Sequence, residues 1–183
     1  DMLLTCTTIV QSFMLIVTMP LGGITSGTQT ILGYNYGAKR PDRIWKAEQW
    51  IVTCALVFNT VMFLAAQCVP EIFVRIFTRN EEYVALSAWA IRMSTLGVIP
   101  LAVQYTVVDG FTGMGIAKVA ITLSLFRKSI YFLSVVLIPL LTSVTNVFFA
   151  ETVSDFAGPV FSIILFLLVF KKVVGDPKQI SAA

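Results

Sequence analysis

Histidine is missing from this chain, cysteine occurs three times in 183 residues, and charged side chains make up only 13% of it. Without imidazole there is no His-ligated zinc, no histidine proton relay and no Ser-His-Asp catalysis within the chain. Cys6, Cys54 and Cys68 stand singly in apolar sequence with no Cys-x-x-Cys spacing, and read as small buried apolar residues. Low charge also sets the chain apart from soluble proteins, in which about 25% of residues are charged. Apolar residues take up that share at 57%, with a mean hydropathy of +0.85. The composition is that of an integral membrane protein, whose first partner is the lipid bilayer.

A membrane helix needs about 20 apolar residues to cross about 30 Å of hydrocarbon. Five such runs are expected, at about 4–32, 50–69, 83–111, 119–141 and 147–170. Pro20, Pro100, Pro139 and the pair Gly158 and Pro159 interrupt them. Proline is tolerated in membrane helices where neighbours or water satisfy the freed carbonyl. No run alternates with the two-residue period of a transmembrane barrel. The expected fold is therefore all-α, a membrane helical bundle of five spans with short loops and no internal repeat. Asp1 already stands in hydrophobic sequence, with no initiator Met or charged leader before it, so the chain is expected to be the later part of a longer polypeptide.

The formal net charge is only +3, and its placement is informative. Lys39, Arg40, Arg43 and Lys46 follow the first run, Lys118 follows the third, and Lys171, Lys172 and Lys178 follow the fifth. In an antiparallel bundle all three groups fall on one side. The other side carries Arg75 and Arg79 offset by Glu71, Glu81 and Glu82. The positive-inside rule makes the basic side, and with it the C-terminus, cytoplasmic. The charge thus signals orientation, and no nucleic-acid partner is expected.

Polar residues at membrane depth are costly, so their spacing is informative. Gln11, Thr18, Gly22, Thr25 and Gln29 form a stripe on one face of the first helix. Gly22 with Ser26 and Gly23 with Gly27 are small-x-x-x-small pairs that permit close helix packing, while Thr25 and Gln29 also suit a polar cavity. In the fifth helix Glu151, Asp155, Gly158 and Ser162 share a face, with Glu151 near the outer end and Asp155 about 10–15 Å deep. In the fourth, Ser124, Arg127, Tyr131 and Ser134 do the same, with Arg127 about 12 Å from the inner end. Arg127 and Asp155 are expected to approach one level near mid-membrane, either as a structural ion pair or in a transport role. Asp109 is expected at the inner interface within reach of water or Lys118, and Arg92 to snorkel outward. Asn59, Gln67 and Gln104 suit hydrogen bonds between helices.

The segment GITSGTQTILGYNYGAKRPDR, Gly23 to Arg43, resembles the end of the eighth helix and the following cytoplasmic loop of the multidrug and toxic compound extrusion (MATE) family, in its MepA-like branch. PEIFVRIFTRNEE, AIRMSTLGVIPLAVQYTVVDGFTGMGIAK, SLFRKSIYFLSVVLIP and VFFAETVSDFAGPVFSIILF resemble, in order, the family's outer segment after helix nine and its helices ten, eleven and twelve. The resemblance implies a twelve-helix transporter of two lobes, with this chain as helices eight to twelve and the N-terminal lobe as its missing partner. It implies multi-pass location in the plasma membrane and export of small organic, often cationic, xenobiotics by antiport with H+ or Na+, with no other cofactor. Some branches use acids in helices seven and ten; here the outer and middle parts of helix ten offer Leu101 and Gln104, and its one acid is Asp109. Asp155, Glu151, Arg127, Gln29, Gln104, Asn59 and Asp109 are accordingly the candidate pathway residues. A lipid-linked oligosaccharide flippase of a related family is the alternative function. An enzyme is not expected, because no catalytic constellation is present.

Overall fold

The computed structural model describes residues 2–174, for Lys171 the backbone alone. Asp1 and Lys178 lie outside the described residues, as does the Lys171 side chain. The elements are α1 (Met2–Gly27), α2 (Gln29–Gly37), α3 (Pro41–Cys68), α4 (Pro70–Val74), α5 (Glu81–Ser94), α6 (Val98–Gly113), α7 (Ala117–Leu141), a 3-10 turn (Val144–Phe148) and α8 (Phe149–Val173). Among the described residues there is no strand. This is the expected all-α bundle, and the cause is general: lipid offers no hydrogen bonds, so each segment must satisfy its own backbone. Four stretches are long and apolar enough to cross a membrane, and α5 with α6, bent by 50°, makes a fifth.

Three segments differ from the sequence expectation. The first continues as one 36-residue stretch from Met2 to Gly37, stepping at Thr28 between α1 and α2. At 1.5 Å per residue that is about 54 Å, well beyond the hydrocarbon thickness. The second starts at Pro41 rather than near Trp50, so Arg43 and Lys46 stand on the first turns of α3 and not in a loop. Proline suits the first helical turn, which has no use for its missing N–H. The true connection is Ala38 to Arg40, where Lys39 turns the chain with φ of 54°. The third segment is two helices, because Pro100 has no N–H to give the carbonyl of Leu96 and Gly97 stands at the bend.

The elbow between α5 and α6 is closed by side chains from its neighbours. Thr152 donates to the Met93 carbonyl at 2.6 Å, Gln67 to that of Arg92 at 3.0 Å, and Asn59 to that of Val98 at 2.5 Å. Arg92 reaches toward the outer end as expected, where it donates to the Gln67 carbonyl and lies 3.9 Å from Glu71. Such replacement partners are what make a broken span tolerable in lipid.

Apolar clusters fill both ends of the bundle. Val10, Phe13, Val17, Ile91, Val98 and Phe148 belong to one, and Leu32, Ile44, Phe111, Leu123 and Phe170 to the other. In the second, the Trp45 ring stacks on Phe166 and meets Phe170 edge-on, which ties the start of α3 to the end of α8. That contact gathers Lys39 to Lys46, Lys118 and Lys172 at one basic end. The outward face of α7 shows Leu125, Phe132, Leu133 and Leu140, a surface matched to lipid tails. Gly22, Gly23 and Gly27 have nothing within 4 Å of a Cβ position, so among the described residues no helix packs on the small-residue face of α1. Close approach occurs instead at Gly33 and Gly113, where α2 meets the end of α6. Small residues permit contact, but the stagger of the helices chooses where it forms.

Candidate functional site

A cavity of about 210 Å³ opens between α1, α6, α7 and α8, and it collects groups that the sequence places on separate stripes. Asp155 and Glu151 reach it from α8, Arg127, Lys128 and Tyr131 from α7, Tyr105 from α6, and Gln11 from α1. Arg127 Nη1 donates to Asp155 Oδ1 at 2.6 Å, so the expected approach of these two residues is a direct ion pair. Asp155 is only 1% exposed, while the Arg127 side chain retains 18% exposure toward the cavity. Ser154 adds a weaker hydrogen bond to the same carboxylate at 3.4 Å. Glu151 accepts from Gln11 at 3.1 Å through Oε1, while its buried Oε2 has no partner among the described residues.

Two glycines let the helices come this close. A Cβ on Gly97, at the elbow, would stand 2.5 Å from the Cβ of Asp155. A Cβ on Gly158 would overlap the Gln104 amide and touch the stem of Arg127. The bend that Pro100 imposes therefore brings the elbow against the acidic turn of α8.

A second cavity, of about 230 Å³, shares Tyr105, Arg127 and Lys128 with the first and continues to Gln104, Ser124 and Asp109. Asp109, expected at the inner interface, is half-buried there and lines this cavity. Its Oδ1 accepts from Gln29 at 3.1 Å and its Oδ2 from Thr25, so α1 and α2 hold it from one side. Gln104 donates to the Leu123 carbonyl at 3.4 Å and its oxygen finds no partner among the described residues. A continuous polar seam thus runs from Gln11 and Glu151 past Asp155 and Arg127 to Asp109 and Gln29. Asn59 is not part of it, being fully buried as the tie between α3 and the elbow.

Sequence reading overlooked Lys128, Tyr105 and Glu48. Lys128 had a signal, since FRK is a charged pair inside an apolar run; its ammonium lies 5.9 Å from the Tyr131 ring centroid. Glu48 was hidden among the charges after Gly37, yet it is buried to 4% exposure. Among the described residues no group of three or more Cys, Asp or Glu side chains is placed to hold a metal ion. Chemically the site offers two carboxylates and two cations at mid-bundle, where a proton or a cation added to one member changes the pairing of the others.

No curated protein and no solved structure gives a significant match to this chain. The family model described as MatE matches residues 2–140, a span that includes the elbow, Asp109, Arg127 and the helices α1 to α7 up to Pro139. A helical membrane bundle with a polar seam through its middle, matched over most of its length by that model, belongs to the MatE family of transporters.

Proposed function

We propose that this chain forms most of the C-terminal lobe of an efflux antiporter, its helices corresponding to the eighth to twelfth of a twelve-helix transporter. The lobe exports small organic cations in exchange for H+ or Na+, from a plasma membrane with its basic end and C-terminus in the cytoplasm. The observation that carries this reading is the Arg127 and Asp155 pair at a cavity that also holds Glu151 and Lys128. A buried pair has a high desolvation cost, so a cation or proton that replaces Arg127 on Asp155 competes with a partner already near balance. Each ligand then shifts the inward and outward populations only by its different affinity for the two. Tyr105 and Tyr131 give the cavity aromatic surface on which an organic cation is stabilised.

Asp155→Asn in the complete transporter keeps the shape and removes the charge. Ion-driven export of a fluorescent cation by proteoliposomes should fall by about tenfold, equivalent to about 1.4 kcal/mol in the barrier. Export and drug resistance unchanged from wild type would remove Asp155 from the mechanism.

A further inference from the structure

Glu48 belongs to neither of the cavities described so far. It stands on α3 seven residues after Pro41, about 10 Å in from the basic end at 1.5 Å per residue. Its Oε1 is fully buried and has no hydrogen-bond partner among the described residues. The carboxyl lies directly on the backbone of Gly110, so closely that a Cβ there would overlap Oε1. It also lines a separate crevice of about 480 Å³ between α3, α6 and α8, with Trp45, Val107 and Phe166. An acid has been brought into an apolar crevice, and a glycine has been placed where it must pass.

Among the described residues the charges around it offer no counter-ion. On α6 the titratable neighbour is Asp109, next in the chain to Gly110 and of the same sign. Neither α1 nor α2 contains a charged residue, and the described side chains of α8 in the crevice are Ile163, Phe166 and Leu167. The charged residues of α5 are Glu81, Glu82 and Arg92, of which Arg92 bonds the far end of α3 at Gln67. On α3 itself Lys46 and Arg43 precede Glu48 by two and five residues, spacings that put them on other faces, and both are exposed. Among the described residues an ionised carboxylate in this position has neither a cation nor a hydrogen bond to offset its lost hydration, whereas the neutral acid loses far less.

We infer that Glu48 is a proton-binding site of the transporter, distinct from the Arg127 and Asp155 pair, which carries its proton while α3 is packed on Gly110 of α6 and releases it when that contact opens. On release the O–H bond breaks, its electron pair stays on the carboxylate, and the proton passes to water entering the crevice from the basic end. Proton occupancy is thereby linked to the contact between α3 and α6. The second cavity lies on the other side of the same turn of α6, at Asp109, so a movement there is felt by the polar seam.

Infrared difference spectroscopy of the complete transporter in lipid, titrated from mildly acidic to mildly alkaline pH, tests the protonation directly. A carboxylic acid C=O band should persist at neutral pH in wild type and in Asp155→Asn, and be absent from Glu48→Gln. Glu48→Gln is close in shape to the neutral acid and should keep the wild-type melting temperature. Gly110→Ala, which displaces the carboxyl, should shift or remove the same band. Identical neutral-pH spectra for wild type and Glu48→Gln would overturn the inference. The link to transport builds on the antiport reading: uptake driven by a pH gradient should fall at least tenfold in Glu48→Gln, and unchanged uptake overturns the link. Because the infrared band needs no transport, its loss or persistence separates failure of this site from failure of that reading.

Discussion

Arg127→Ala should cost the folded bundle about 3–5 kcal/mol, the loss typical when one partner of a buried ion pair is removed. The guanidinium is the only cation bonded to Asp155 among the described residues, and Asp155 is 1% exposed. Truncation leaves that carboxylate with the long Ser154 contact at 3.4 Å. Arg127→Lys should lie between wild type and alanine, since an ammonium replaces a planar fork with a point charge. Removing both charges, as Arg127→Met with Asp155→Leu, should recover most of the loss, because two apolar residues leave nothing unpaired. Thermal unfolding of wild type, Arg127→Met, Asp155→Leu and the double variant in one detergent closes a double-mutant cycle. Additive losses in that cycle would mean that the pair is not coupled. The cycle reads stability, while Asp155→Asn reads transport, so the structural and functional roles of the pair are measured apart.

Gly113→Ala should destabilise by about 1–3 kcal/mol, the range for overpacking a closely fitted contact. A Cβ at this position would stand 2.7 Å from the Gln29 carbonyl oxygen and 2.8 Å from its Cα. These are backbone atoms, so no rotamer change relieves the contact and α2 must move. Gly33 faces the same contact from the other side, where a Cβ would stand 2.5 Å from the Gly113 oxygen. Since the Gln29 amide holds Asp109, the movement should also disturb the inner end of the polar seam. Gly22→Ala and Gly23→Ala are the controls: nothing lies within 4 Å of either site, and loss of a helix glycine should be neutral or slightly stabilising within this chain. Melting temperatures of the three variants measured side by side test the contrast. Equal losses at Gly113 and Gly22 would show that the α2 and α6 contact is not the tight one.

Much of the site was legible because lipid makes polar spacing informative. Asp155 and Arg127 stand in otherwise apolar runs, and their depths, counted at 1.5 Å per residue, put them at one level. Gln29 and Thr25 lay on a stripe and do meet a polar partner, but the partner is Asp109, which spacing assigned to the interface. Spacing did not name this pairing, because depth along a helix says nothing about which neighbouring helix overhangs it. Asn59 drew attention for its polarity, and its use is to bond the Val98 carbonyl at the elbow. Glu48 went unseen for the opposite reason. It lies among Lys39, Arg40, Asp42, Arg43 and Lys46, a run that reads as solvated, and only the packing of α3 against Gly110 turns it inward.

The sequence by itself determined that this is an all-helical membrane protein with spans in a fixed order, because hydrocarbon accepts only long apolar segments with internally paired backbones. It also determined that the charges between α2 and α3 gather at one end, and that Asp155 needs a partner. Tertiary structure alone decided which polar groups meet, since pairing depends on how far each helix is staggered and turned against its neighbours. It decided that the third span breaks at Gly97, where three side chains from other helices accept the task of satisfying its carbonyls. It decided too that an acid near the basic end should lie on Gly110, with no charge of opposite sign beside it among the described residues.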